Sequence, residues 1–119
     1  MSIDAIAVVP VDQIGLGPVD ADVRLLEWLR LLADSNRMRI FLLLRQGERC
    51  VCDIESAVQL PQNLVSHHLK VMREAGLTVA RKDGRWVYHR INKAQLQQLF
   101  PLMRGLFDPA LVSDAAAAC

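Results

Sequence analysis

An Asp-Gly step, Asp83-Gly84, separates two runs of residues that favour β-strands, 77–82 and 86–91. Asp-Gly is one of the preferred pairs in the tight turn that joins two antiparallel strands. Glycine suits that turn because it adopts a positive φ without a steric penalty. The sequence therefore predicts one β-hairpin in the second half of the chain, and any fold of this chain must contain it.

Apolar residues recur at helical spacing on both sides of the hairpin. Asp20 or Asp22 is the predicted N-cap of a first helix, and Ser35 that of a second helix, which ends at Gly47. A short third helix is expected after a pair of cysteines, followed by a fourth over about 62–75. Helix–turn–helix followed by a β-ribbon is the winged helix-turn-helix arrangement. The predicted fold class is therefore mainly α with a β-hairpin (α+β).

The 119 residues allow one domain, which is predicted to span 20–112. Residues 1–19 contain prolines and glycines without a sustained period, so they are expected to form a flexible arm. The alanine-rich residues 113–119 are expected to form a flexible tail. A final helix of the domain begins near Lys93, and Pro101 is predicted to kink it.

Three cysteines, Cys50, Cys52 and Cys119, are an odd number, which argues for reactive or ligand-binding thiols rather than a disulfide framework. The chain start does not resemble a secretory signal, so a cytoplasmic location with reduced thiols is expected. On a regular helix Cys50 and Cys52 would diverge by about 200°, so sharing one ion is predicted to need an extended or unwound first turn. Oxidation is the alternative use of the pair, and it is expected to involve Cys119 because a disulfide across one residue is strained.

Charge is unevenly distributed, although the net charge is only +1. Residues 1–36 contain six acidic and two basic side chains, whereas residues 61–93 contain seven basic and two acidic ones. A polyanion would therefore meet the second region. An ordinary solvated face explains the same pattern, so charge alone leaves both interpretations open.

Four stretches closely resemble the ArsR/SmtB family of bacterial metal-responsive repressors, namely residues 32–40, 48–54, 65–77 and 82–89. The Cys-Val-Cys-Asp motif at 50–53 is similar to that of the arsenic-sensing branch, in which trivalent arsenic binds at the start of the third helix. In the best-known form of that motif a third cysteine stands where this chain has Glu55. The resemblance implies a homodimeric repressor that binds double-stranded operator DNA without a cofactor and is released by trivalent arsenic or antimony.

Trivalent arsenic typically takes three sulfur ligands, in keeping with its preference for soft thiolates. Cys50 and Cys52 are expected to supply two of them, and Cys119 or an external thiol such as glutathione the third. Arg49 and the helix N-terminus should favour the thiolate form. The alternative is that both cysteines are small buried apolar side chains.

The start of the fourth helix is the part expected to meet base edges in the major groove. The residues expected there are Gln62, Asn63, Ser66 and His67. Those expected further along, near phosphates, are Lys70 and Arg73. Those flanking the hairpin tip, where they could reach the backbone or the minor groove, are Arg81, Lys82 and Arg85. The alternative for Gln62 and Asn63 is helix capping after Pro61, and Trp86 and Tyr88 are expected to pack rather than to stack on bases.

The first and last helices carry more apolar surface than one small winged-helix core can bury. On the first helix these residues are Leu25, Trp28, Leu29 and Leu32. On the last helix they are Leu96, Leu99, Phe100, Met103 and Phe107. The family buries these helices against a two-fold partner, so a homodimer is expected, with DNA half-sites about 34–36 Å apart.

Two other regulators of the same fold are alternatives: a cadmium- or lead-responsive repressor and a thiol-redox-responsive one. Zinc-sensing relatives use Asp/His pairs on the final helix, but residues 93–112 contain no histidine and only Asp108 as an acid. Zinc sensing is therefore not expected. Nor is an enzyme, because no general base is identifiable beside the cysteines. No apolar run approaches the roughly 20 residues of a membrane helix, so no membrane partner is expected.

Overall fold

The computed structural model describes residues 19–117, with side chains from Val23 onward. The elements in chain order are α1 (Val19–Leu32), α2 (Ser35–Leu44), β1 (Arg49–Cys50), α3 (Val51–Val58), α4 (Gln62–Glu74), β2 (Thr78–Asp83), β3 (Trp86–Ile91), α5 (Lys93–Phe107) and a 3-10 turn (Pro109–Leu111). This is a winged helix-turn-helix, as predicted. Nearly all of the predicted arm lies outside the described residues, and so does Cys119.

The hairpin forms at the predicted place, with Asp83 opposite Trp86 and a two-residue turn between them. Gly84 in that turn has a φ of +61°, which explains why a glycine is needed there. A third strand, β1, pairs antiparallel with β3, so the strand order is β1-β3-β2. Sequence reasoning missed β1 because two residues are too few to show a period.

The core lies between α2, α3 and α4 and the base of the hairpin. Its most deeply buried apolar side chains are Ile40, Ile54, Val65, Leu69, Met72 and Leu77. Trp28 joins α1 to this core, since its indole Nε1 donates a 2.8 Å hydrogen bond to the carbonyl of Ala75 at the end of α4. The inner face of α4 therefore packs against the core, and the outer face of α4 is exposed to solvent.

Two predicted helix caps are wrong. The helix α1 already begins at Val19, so neither Asp20 nor Asp22 is its N-cap. The N-cap of α2 is Asp34 rather than Ser35, because the extended backbone that a cap requires occurs at Asp34. The Asp34 carboxylate accepts hydrogen bonds from two backbone N–H groups of the first turn, at 2.9 and 3.1 Å.

Burial on the outer helices also differs from the prediction. On α2, the apolar side chains of Met38 and Leu42 are 37% and 46% exposed. On α1, Leu25 and Trp28 are buried within the protomer, so they are not available to a partner. The helix α5 runs through Pro101 and buries Leu99.

Candidate thiol site and nucleic-acid interface

Cys50 and Cys52 lie at the junction of β1 and α3. Cys50 is the last residue of β1 and the N-cap of α3, with an extended backbone, whereas Cys52 lies in the first turn of the helix. Their Cα atoms are 5.4 Å apart, and their sulfur atoms are within bonding distance as a disulfide. The prediction was an extended or unwound first turn, and Cys50 is already extended, so α3 does not have to unwind for the two sulfur atoms to meet. The expectation that oxidation involves Cys119 stays a prediction, because Cys119 lies outside the described residues.

The surroundings of the two sulfur atoms differ. The Cys50 side chain is buried, and its sulfur accepts a 3.3 Å hydrogen bond from the backbone N–H of Asp53. The Cys52 and Asp53 side chains are exposed, and the two sulfur atoms and a carboxylate oxygen lie within 4.8 Å of one another. The two sulfur atoms are soft donors and the carboxylate oxygen is a hard donor, a set that suits a thiophilic ion. The sulfur atoms would bind such an ion, and solvent would still reach it.

The thiol site belongs to the same small sheet as the hairpin. Cys50 is opposite Tyr88, and Arg49 is opposite His89. Glu48, which precedes β1, accepts hydrogen bonds from Arg81 of β2, the shortest of them 2.6 Å. That hydrogen bond holds the pKa of the Glu48 carboxyl below its usual range. Glu48 therefore ties the thiol site to the hairpin, and it was missed because nothing in the sequence reveals the pairing of β1.

A cleft of about 410 Å³ connects the thiol site to both predicted DNA-contacting elements. Its lining residues are Val51, Cys52, Glu55, Gln62, Ser66, Arg85, Trp86 and Val87. They come from α3, the start of α4 and the start of β3. The sequence carries no signal for such a cleft, because it depends on how three elements pack.

The six residues of α4 that were predicted to face DNA are all exposed, namely Gln62, Asn63, Ser66, His67, Lys70 and Arg73. The N-cap of α4 is Pro61, and no side chain caps this helix. The alternative that Gln62 or Asn63 serves as a cap is therefore wrong. His67 points outward, while His68 is buried and its Nδ1 lies 3.4 Å from Arg37.

The three basic residues of the hairpin differ in their partners. Arg81 is occupied by Glu48, and its guanidinium lies 4.5 Å from the centre of the Tyr88 ring. Lys82 and Arg85 are exposed, and neither forms an ion pair within residues 19–117. Trp86, which was expected to pack, is 47% exposed. Lys82 and Arg85 are therefore the basic side chains at the hairpin tip that have no carboxylate partner among the described residues. The Arg85 guanidinium lies 5.3 Å from the centre of the Trp86 ring.

Across the described part of the chain, no helix is long and apolar enough to cross a membrane.

Comparison with known proteins identifies the family. The model of the arsR family of bacterial regulatory proteins matches residues 34–78. The chain is 40% identical over 80 residues to the arsenic resistance transcriptional regulator ArsR1 of Pseudomonas putida, a match covering 66% of this chain and 62% of that protein. It is 38% identical over 71 residues to the arsenical resistance operon repressor of Staphylococcus aureus, covering 60% of this chain and 68% of that protein. The chain therefore spans less than two thirds of the length of the Pseudomonas putida protein and slightly more than two thirds of the length of the Staphylococcus aureus protein.

A solved structure shares the same architecture. It is the homodimeric winged helix-turn-helix DNA-binding domain of a possible ArsR-family regulator from Mycobacterium bovis. The TM-score is 0.61 at 30% identity, and the match covers 83% of this chain and 94% of that one. The chain belongs to the arsR family of bacterial regulatory proteins, a family of transcription regulators and not of enzymes.

Proposed function

We propose that this protein is a homodimeric transcriptional repressor that binds operator DNA and is released when trivalent arsenic, or antimony, binds Cys50 and Cys52. It acts in the cytoplasm and needs no cofactor to bind DNA. The observation that carries the proposal is the position of the two thiols, which are adjacent at the start of α3, with Cys50 also in the same sheet as the hairpin. Arsenic resistance regulators among its relatives support the choice of ligand.

The outer face of α4 supports DNA binding. Exposed polar side chains lie at its start, and the basic Lys70 and Arg73 follow further along. A helix presented in this way fits the major groove, with its first turn at the base edges. Lys82 and Arg85 would reach the flanking phosphates, because the hairpin projects beside α4.

Exposed apolar side chains support the dimer. Val23 and Leu26 of α1 are 58% and 52% exposed, and Phe100 and Phe107 of α5 are 58% and 70% exposed. Arg24 of α1 hydrogen-bonds to Gln95 of α5, so the two helices lie side by side. A homodimeric relative supports a dimer for this chain. Pairing through α1 and α5 would set the half-sites about 34–36 Å apart.

A structural change caused by ligand binding at the thiols would be transmitted to the DNA-contacting elements by two short routes. One runs from Cys50 through the β1–β3 pairing to the hairpin, where Glu48 adds its bond to Arg81. The other runs from Cys52 through α3, which packs against α4. A ligand that favours the low-affinity arrangement by about 1–3 kcal/mol would weaken DNA binding roughly 5- to 150-fold.

The test is fluorescence anisotropy of labelled operator DNA with the reduced protein, titrated with arsenite. We expect release by arsenite in the unaltered protein and its loss in Cys50→Ser and Cys52→Ser, because each change removes a sulfur ligand. The Cys119→Ser variant reports whether that thiol supplies the third ligand, in which case release requires more arsenite.

Parallel titrations with cadmium and with peroxide separate the alternatives. Release by cadmium at lower concentration than by arsenite would contradict the arsenic assignment and favour a cadmium-responsive repressor. Release by peroxide alone would favour a redox-responsive regulator. Tight DNA binding that none of these agents weakens would overturn the sensing function and leave the DNA-binding function in place.

A further inference from the structure

We infer that the cleft beside Cys52 receives an organic group on arsenic, so the preferred ligand is a trivalent mono-organylarsenical, R–As(OH)₂, rather than inorganic arsenite. The inference rests on the proposed function, since it concerns the same two thiols. It names the chemical class of the ligand and adds Trp86 as a residue that determines specificity.

The donor set supports this class of ligand. The thiol site of the described chain offers two sulfur atoms, and its other candidate donor is the Asp53 carboxylate, a hard ligand. Glu55, another carboxylate, stands on the rim of the cleft. An arsenic atom that already carries one carbon substituent needs two sulfur ligands, not three, so Cys50 and Cys52 complete its coordination.

The reaction balances without a change of oxidation state. Two As–O bonds of R–As(OH)₂ break and two As–S bonds form to Cys50 and Cys52. The two thiol protons leave with the two hydroxyl groups as water. Arsenic stays trivalent, and the thiols must be reduced beforehand.

The walls of the cleft suit a small organic group. Trp86 is 47% exposed, and the Arg85 guanidinium lies 5.3 Å from the centre of its ring. Val51 and Val87 add half-buried aliphatic side chains. A volume of about 410 Å³ accommodates a methyl or a phenyl group. Apart from Cys52, the remaining lining residues, Glu55, Gln62, Ser66 and Arg85, are polar, so the gain comes from the apolar side. One methyl-sized group packed on an apolar surface of this kind is worth about 10-fold or more in selectivity.

Because of the position of the cleft, the organic group should affect DNA release as well as ligand affinity. Gln62 and Ser66 of α4 form one side of the cleft, and Arg85 of the hairpin turn and Trp86 of β3 form another. A substituent between these walls lies between the two elements that contact DNA. An organylarsenical should therefore release DNA more completely at saturation than arsenite does.

The test measures binding to the reduced full-length protein by competition with dithiothreitol, using arsenite, methylarsonous acid and phenylarsine oxide. Competition with a free dithiol corrects for the intrinsic difference between the arsenicals in their affinity for thiols. We expect phenylarsine oxide and methylarsonous acid to be favoured over arsenite by about tenfold or more relative to dithiothreitol. Trp86→Ala should lower that preference several-fold, Trp86→Phe should retain most of it, and Leu42→Ala, at an exposed apolar residue of α2 outside the cleft, should leave it unchanged.

The outcomes separate the inference from the proposed function. If arsenite binds and releases DNA through Cys50 and Cys52 but the preference is absent, or is the same in Trp86→Ala, the proposed function stands and the inference is wrong. If no arsenical binding depends on Cys50 and Cys52, both are overturned.

Discussion

Two histidine side chains, His68 and His89, are buried and incompletely hydrogen-bonded. The Nε2 of His68 and the Nδ1 of His89 have no partner among the described residues. Burial lowers the pKa of both imidazoles, and Arg73 adds to the effect on His89. For His68 the nearby Asp34 opposes this effect, while Arg37 and His67 add to it. Both rings are therefore held neutral in the folded protein.

Neutral buried histidines predict a loss of stability in mild acid. The unfolded chain takes up protons as the pH falls through about 6.5, whereas the folded chain does so only at lower pH. The free energy of unfolding should therefore fall between pH 7 and pH 5, by at most about 1.4 kcal/mol per pH unit for each histidine. Above pH 7 this contribution is complete. Urea unfolding at a series of pH values measures it.

Glutamine variants provide the control for this pH dependence. His68→Gln and His89→Gln should each flatten the change between pH 7 and pH 5, whatever their effect on stability at pH 7. His67→Gln alters an exposed side chain and should keep the full slope. The pKa of the Asp34 and Glu48 carboxyls is lowered, so their stabilising contributions are lost only at lower pH, through about 4 and below. A double variant of His68 and His89 with the slope unchanged would contradict this explanation.

Among the elements, the hairpin shows how a tertiary contact decides which basic side chains are available to bind DNA. Sequence reasoning treated Arg81, Lys82 and Arg85 alike, as cations near the hairpin tip. The structure pairs Arg81 with Glu48, which also lies 4.0 Å from Arg90. A cation that already has a carboxylate partner gives up that partner before it binds a phosphate, so Arg81 should contribute less to DNA affinity than its neighbours.

The salt dependence of DNA binding tests this difference. Lys82→Ala and Arg85→Ala should each make the slope of log affinity against log salt concentration shallower by about 1, because each removes one phosphate contact. Arg81→Ala should change the slope by much less. Glu48→Gln should steepen it, since Arg81 becomes free, whereas Glu27→Gln on α1 serves as a control for the lost negative charge. Equal slopes for all three basic variants would show that Arg81 is not withheld by Glu48.

Across the whole chain, the exposed apolar side chains of α1 and α5 are the surface that a second copy would cover. Two of the α1 residues that the sequence assigned to this surface, Leu25 and Trp28, are instead buried in the protomer. Val23 and Leu26 take their place on the outside. On α5, Phe100 and Phe107 remain exposed, as the dimer requires.

A charge placed on this surface should separate the subunits. Phe100→Asp should convert a dimer to a monomer in sedimentation velocity, because a carboxylate would be buried without a partner. DNA affinity should fall with it, since two half-sites are no longer bound together. Leu42→Asp is the matched control, because Leu42 is an exposed apolar residue on α2. A monomeric unaltered protein, or a dimeric Phe100→Asp, would contradict this interface.

The number and kind of elements could be inferred from the amino-acid sequence because their signals are local. Helical spacing predicted α4 within one residue, and Asp83-Gly84 predicted the hairpin. The adjacent thiols and the resemblance to the arsR family also came from short stretches of chain. Boundaries that depend on one or two residues were less certain, as Asp34 in place of Ser35 shows.

Contacts between distant parts of the chain determined the rest. Cys50 is extended because it pairs with Tyr88, 38 positions later, and this pairing brings its sulfur to Cys52 without unwinding α3. The Glu48–Arg81 bond, the cleft beside Trp86 and the inward face of Trp28 have the same origin. Such contacts leave no periodic trace in the sequence, because each depends on how separate elements pack around one core.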